Sequence, residues 1–133
     1  MADDGLITVP SAHDFETTLG RLLAVLADKS IAVFARVDHA AGAADVGLRL
    51  RPTTLVVFGN PIAGTPLMEA AQVAGIDLPL KALVWQDADG TVKLTYNDPH
   101  WIATRHRLSN DAAKSVTGMS TLLAALAQRA TGT

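Results

Sequence analysis

A two-layer α+β sandwich is the fold class this sequence predicts, with a mixed or antiparallel sheet of about five strands and about three or four helices. Three observations lead there. β-like runs alternate with helical periodicity along a chain of 133 residues, the usual size of one domain. The turn Asp87-Ala88-Asp89-Gly90 stands between two β-like runs, Lys81 to Gln86 and Thr91 to Tyr96, and an Asp-Gly turn in that position makes a hairpin. A hairpin enforces at least one antiparallel pair, so the helices cannot all be crossovers of a parallel sheet.

The elements follow in order. Leu6 to Val9 is a short β-like run closed by Pro10. Ser11 with Asp14 three residues on has the form of a capping box, and Phe15, Leu19, Leu22 and Leu26 follow at helical spacing, which predicts the first helix. Ile31 to Val37 is rich in β-branched and aromatic residues, and strict alternation puts Ile31, Val33, Ala35 and Val37 on one face of a strand. Asp38 to Ala44 reads as a connection with room for a helical turn. Thr54 to Phe58 is continuous enough for a central strand buried on both faces, ended by Gly59 and Asn60. Thr65-Pro66, a cap residue with proline at the first helical position, predicts a helix holding Leu67 to Ala74 and stopping at Gly75. Asp98-Pro99 repeats that start and opens a short helix through Arg105. Ser109 and Asn110 precede a long helix striped by Val116, Met119, Leu123 and Leu126. Without internal repeat, low-complexity tract or linker, residues 1–133 read as one domain.

Composition excludes several function classes. Eleven Lys+Arg against 13 Asp+Glu leave a formal charge of −2. Nucleic acid needs clustered cations to displace counterions from phosphates, so no nucleic-acid partner is expected. The absence of cysteine removes disulfide scaffolds, thiolate metal sites and cysteine nucleophiles. Met1-Ala2-Asp3-Asp4 is acidic where a signal peptide is basic, and no run approaches the roughly 18 apolar residues of a membrane span. A cytoplasmic protein without a membrane partner is the expectation. Hydrophobic residues make up 49% and charged residues only 18%; even with much of the former alanine, apolar surface is expected to meet a second subunit, which predicts a homodimer.

Two segments gather candidate site residues. Gly59 to Thr65 follows a strand and precedes a helix, a context in which backbone N–H groups hold anions, so Gly59, Asn60, Gly64 and Thr65 form an anion-binding candidate. The two glycines have the spacing of a phosphate loop, but Thr65-Pro66 stands where a lysine followed by Ser/Thr is required, which disfavours nucleotide hydrolysis. The alternative is a structural strand-to-helix turn. The second segment, Tyr96 to His106, is the densest polar cluster. Asp98 and Arg105, seven apart, fall on nearly the same helical face about 10 Å apart in rise, within reach of one ligand; the structural alternative makes Asp98 a helix cap. His100 and His106 are six apart, unlike the three or four of a helical metal pair. His39 ends an apolar strand and could meet His106 in space, although a structural histidine is the plainer reading of each. Asp38, His39, Asn60, Tyr96, Asp98, Arg105 and His106 together make the candidate pocket. No Gly-x-Ser-x-Gly elbow supports hydrolase chemistry. Asp87 and Asp89 lie in a turn that favours Asp locally, and the EF-hand loop pattern is missing. Met68 and Met119 read as core, Trp85 and Trp101 as core or interface anchors.

The run Arg51-Pro52-Thr53-Thr54-Leu55-Val56-Val57-Phe58-Gly59-Asn60-Pro61, with Gly64-Thr65-Pro66-Leu67-Met68, Leu78-Pro79-Leu80-Lys81, Tyr96-Asn97-Asp98-Pro99, Arg105-His106 and Val37-Asp38-His39-Ala40, resembles the bacterial and archaeal family called domain of unknown function 302, over roughly residues 5 to 130. The resemblance implies an α+β sandwich that tends to pair as a dimer, and no particular activity. Asp38, His39, Asn60, Asp98, Arg105 and His106 match polar positions of that family; Gln86 departs, standing where an acid is common. The expectation is therefore a homodimeric domain that binds a small ligand, without a catalytic constellation, cofactor or metal. Two alternatives remain beside it: a metal- or anion-dependent enzyme using His39 and His106, and an anion-binding regulator acting through Gly59 to Thr65.

Overall fold

The protein is described by a computed structural model over residues 4–133; Met1, Ala2 and Asp3 of the acidic start lie outside the described residues. In chain order the elements are β1 (Leu6–Pro10), α1 (Phe15–Asp28), β2 (Ala32–Asp38), α2 (His39–Asp45), β3 (Thr53–Gly59), α3 (Pro61–Ala70), β4 (Leu80–Gln86), β5 (Val92–Asn97), α4 (Pro99–Arg105) and α5 (Ala113–Thr131), with 3-10 turns at Gln72–Asp77 and Asn110–Ala112. The strands form one sheet in the order β1-β5-β4-β3-β2, with every neighbouring pair antiparallel. The α+β expectation holds, with a wholly antiparallel sheet. The five α-helices among the described residues are close to the three or four expected, and α2 makes two turns in the stretch read as a connection with a helical turn.

The edge strands β1 and β2 are joined through α1, whose 14 residues span about 21 Å. Four inter-strand spacings come to about 19 Å, so this helix is long enough to carry the chain across the whole sheet. One sheet face is the core. Thr54, Val56 and Phe58 of β3, Ala82 and Val84 of β4, and Val92 and Leu94 of β5 are buried there. Leu19, Leu22, Val25 and Leu26 of α1 and Val116, Met119, Leu123 and Leu126 of α5 are buried with them. Arg21 ties the two helices at the end of α5, its Nε donating to Arg129 O at 2.9 Å and its Nη2 to Gly132 O at 3.1 Å, which satisfies carbonyls a helix end leaves open.

β3 departs from the expectation of burial on both faces. Its residues alternate, with Leu55 and Val57 only half-buried on the side away from the helices. Leu83 and Trp85 of β4 continue that face. There Trp85 Nε1 donates to Thr95 Oγ1 at 2.9 Å, and the Lys93 ammonium sits 5.2 Å from the indole centroid while bonding Asp87 Oδ2 at 2.8 Å.

Three local features depart from the sequence reading. The cap of α1 is Asp14, which accepts from Thr17 N at 2.8 Å, whereas Ser11 Oγ bonds Thr18 Oγ1 at 2.7 Å and accepts from His13 N at 3.1 Å. In β2, a bulge between Val33 and Ala35 breaks the alternation, so Val33 lies opposite Phe58 on one face and Val37 opposite Leu55 on the other. And α3 begins at Pro61 with Asn60 as its cap, leaving Pro66 inside the helix. Asn60-Pro61 is the same cap-then-proline signal as Asp98-Pro99, and it acts five residues earlier than Thr65-Pro66.

Candidate functional site

The early start of α3 decides what the Gly59–Thr65 segment can do. Its residues are not an open loop: Gly64 and Thr65 are helical. The N–H groups an anion would use are missing or already engaged. Pro61 has none; Ile62 N donates to Asn60 Oδ1 at 2.9 Å, and Ala63 N and Gly64 N donate to Asn60 O at 3.0 and 3.2 Å. This helix start closes on itself through one asparagine.

The same four residues instead line a cavity of about 350 Å³. One wall is α3, with Asn60, Ala63, Gly64, Thr65 and Met68; the opposite wall is α5, with Gly118, Met119 and Leu122. Between them lie Gly75, Leu78 and Pro79, from the 3-10 turn and the chain leading to β4, and the strand ends Gly59 and Leu80. Ile31, just before β2, and Phe34 within it complete the rim, Phe34 being the residue that the bulge leaves without a paired position opposite. The lining contains no charged side chain; its polar side chains, Asn60 and Thr65, are both exposed at the rim. A cavity of this size and polarity suits a small apolar molecule.

Beside this wall stands an ionic cluster. Asp77, the last residue of the 3-10 turn, receives Arg105 Nη1 at 3.1 Å on both carboxylate oxygens and holds His106 Nε2 at 2.5 Å. The His106 side chain is only 6% exposed and that of Arg105 is 51% exposed. The Arg105 guanidinium also lies 5.7 Å from the Trp101 ring centroid. Lys81 Nζ donates to the carbonyls of Asp77 and Pro79 at 3.2 and 3.4 Å; burial holds its pKa below the ordinary value, partly offset by the Asp77 charge. The cluster therefore pins the segment Gly75–Pro79, the middle of the cavity wall, to the end of α4. Asp77 carries no signal in the sequence. It is a lone acid in an apolar stretch, and its partners lie 28 and 29 residues away.

The seven candidate pocket residues do not converge. Asp38 caps α2 by accepting from Ala41 N at 2.9 Å, and it lies opposite Thr54, at the start of β3. His39 follows it. His106 is bonded to Asp77, three residues before Leu80, which lies opposite Phe58 near the end of β3. The two imidazoles thus stand towards opposite ends of the sheet. Asp98 is buried and spends its carboxylate on His100 N at 2.9 Å as the cap of α4, while Arg105 turns to Asp77, so the two side chains take different partners. Tyr96 faces the core, where burial and the Asp98 charge raise its pKa. Among the described residues no group of three or more His, Cys, Asp or Glu side chains is placed to hold a metal ion.

Comparison with known proteins sets this geometry in a family. The model of the family described as Domain of unknown function DUF302 matches residues 7–126. The chain is 48% identical over 124 residues to proteins named fluoride-specific ion channel FluC 1 from Brucella suis and from Brucella abortus; the match takes in 90% of this chain but 49% and 46% of theirs. The chain thus spans about half the length of these curated relatives. The crystal structure of an uncharacterized conserved DUF302 protein from Bacillus stearothermophilus superposes with a TM-score of 0.82 at 20% identity, over 95% of this chain and 98% of that one, which speaks for the shared fold alone. With the family model matched over most of its length, this chain belongs to the DUF302 family.

Proposed function

We propose that this chain is a small-ligand-binding domain that acts as a homodimer, its ligand held between α3 and α5. The observation that carries the reading is the cavity of about 350 Å³ with no charged side chain in its lining; a concave, largely apolar space with a few polar groups at one end is the usual form of a small-molecule site. Of the other candidate residues, Asp38 and Asp98 serve as helix caps and Arg105 and His106 bond Asp77, which favours binding over catalysis. In the Brucella relatives the segment resembling this chain makes up about half of a protein named as a fluoride-specific ion channel. Among the described residues here, no helix is long and apolar enough to cross a membrane. Both facts support an accessory role for this domain in such proteins, and fluoride conduction is not assigned to it.

The test is a ligand screen read by thermal unfolding. A ligand at a hundred times its Kd stabilises the folded chain by about 2.7 kcal/mol. Gly118→Leu is the control, because a Cβ at Gly118 meets nothing within 4 Å and the new side chain can occupy the cavity. A ligand whose stabilisation disappears in Gly118→Leu supports the reading. A screen in which every stabilising compound acts equally on both proteins contradicts it.

A further inference from the structure

We infer that the ligand of this cavity is an uncharged, mainly aliphatic molecule of about a dozen non-hydrogen atoms with one hydrogen-bonding group at its end, of the medium-chain alcohol class; this rests on the ligand-binding reading above. Size sets the first limit. A dry cavity of roughly 150 Å³ accommodates benzene, and the present one measures about 350 Å³, room for about twice as many atoms. Charge sets the second. Of the ionic groups adjacent in sequence to lining residues, Asp77 and Lys81 are turned to Arg105, His106 and backbone carbonyls, Glu69 is an exposed residue of α3 outside the lining, and the first N–H groups of α3 are engaged. A carboxylate, phosphate or ammonium entering the cavity would lose its hydration and meet no opposite charge in the lining.

Polarity at one end sets the third limit. Asn60 and Thr65 are both exposed and both at the α3 rim. With its Oδ1 accepting from Ile62 N, the Asn60 amide keeps its NH₂ hydrogens to donate to a ligand oxygen, and the Thr65 hydroxyl can donate or accept. Deeper in, Met68 and Met119 face the space from α3 and α5. Unbranched thioethers adapt to a chain rather than demand one shape. Phe34, brought to the rim by the β2 bulge, adds an apolar lip.

The experiment is calorimetric titration of the full chain with 1-butanol, 1-hexanol, 1-octanol and 1-decanol, alongside octanoate and inorganic phosphate, repeated on Gly118→Leu and on Gly64→Leu from the opposite wall. Circular dichroism of both variants verifies folding. The expected result is a gain in affinity of about three- to fourfold per methylene along the alcohols. Octanoate should bind at least tenfold more weakly than 1-octanol, phosphate should not bind, and a folded filling variant should lose at least tenfold for every alcohol. If octanoate or phosphate binds more tightly than 1-octanol and that binding is lost in the variants, the ligand class is overturned while the site stands. Absence of any binding that the variants weaken overturns the site and the class together.

Discussion

Gly5 shows how much one residue can fix. Its φ is +77°, and a Cβ built there would lie 2.4 Å from Trp101 Cδ2. The left-handed backbone and the indole packed against it both require glycine. Gly5→Ala should therefore destabilise the chain by roughly 2–4 kcal/mol, measured by urea unfolding, combining backbone strain with overpacking. At the Asp77 cluster, burial predicts an unequal pair of effects. Asp77→Ala leaves the buried His106 ring without its partner and should cost about 1–3 kcal/mol. Arg105→Ala removes a half-exposed ion pair and a contact with Trp101, and should cost roughly 1 kcal/mol or less. Equal losses in the two variants would show that His106 gains nothing from Asp77. None of this was legible in the sequence, because the contact joins a lone acid to residues 28 and 29 positions away. Asp98 was legible: its structural reading as a helix cap rested on the proline beside it, a local signal, and the carboxylate indeed accepts from His100 N.

Local signals also decided which elements could be read. The Asp-Gly hairpin, the leucines of α1 and the stripe of α5 are written in neighbouring residues, and each has its counterpart in β4, β5, α1 and α5. Ser11 and Thr65-Pro66 misled because each competes with a second cap nearby, Asp14 and Asn60, and the choice between them depends on how the following helix packs. The β2 bulge has no sequence mark. Elements also carry the acid response. Asp14 at the start of α1, and Asp87 and Asp89 in the β4–β5 turn, all have pKa values below their ordinary 3.8, chiefly through side-chain hydrogen bonds with Thr17, Lys93 and Thr91. Each binds its proton less tightly when folded, so the stabilisation is present above pH 3.8 and is lost as pH falls through the lower folded value. Lys93 moves the other way, raised above 10.5 mainly by Asp87. Its contribution is complete below 10.5 and is lost only as pH rises past the folded value. Urea midpoints should fall steeply below about pH 4, and Asp87→Asn should flatten that fall; an unchanged slope in the variant would remove Asp87 from the account.

At the scale of the molecule, one side of the sheet is finished and the other is not. All seven residues of β2 are exposed, including Val33, Phe34 and Val37, and the segment after α2 adds Val46 and Leu48 at 72% and 65% exposure. An edge strand this apolar invites pairing, which agrees with the continuous hydrophobicity that made β3 read as buried on both faces. Sedimentation at micromolar concentration should give twice the chain mass, and Leu48→Glu should weaken association at least tenfold; a monomer throughout would leave that surface unexplained. The cavity was hidden from the sequence because its walls come from β2, α3, the 3-10 turn and α5, and its polar rim resembled an anion loop until the helix start was located. It is also where the functional account is most directly exposed. With methyl-labelled methionine, titration of 1-octanol followed by NMR should move the Met68 and Met119 resonances along one saturation curve; resonances that stay fixed up to the solubility limit would contradict the assignment of the cavity as the ligand site.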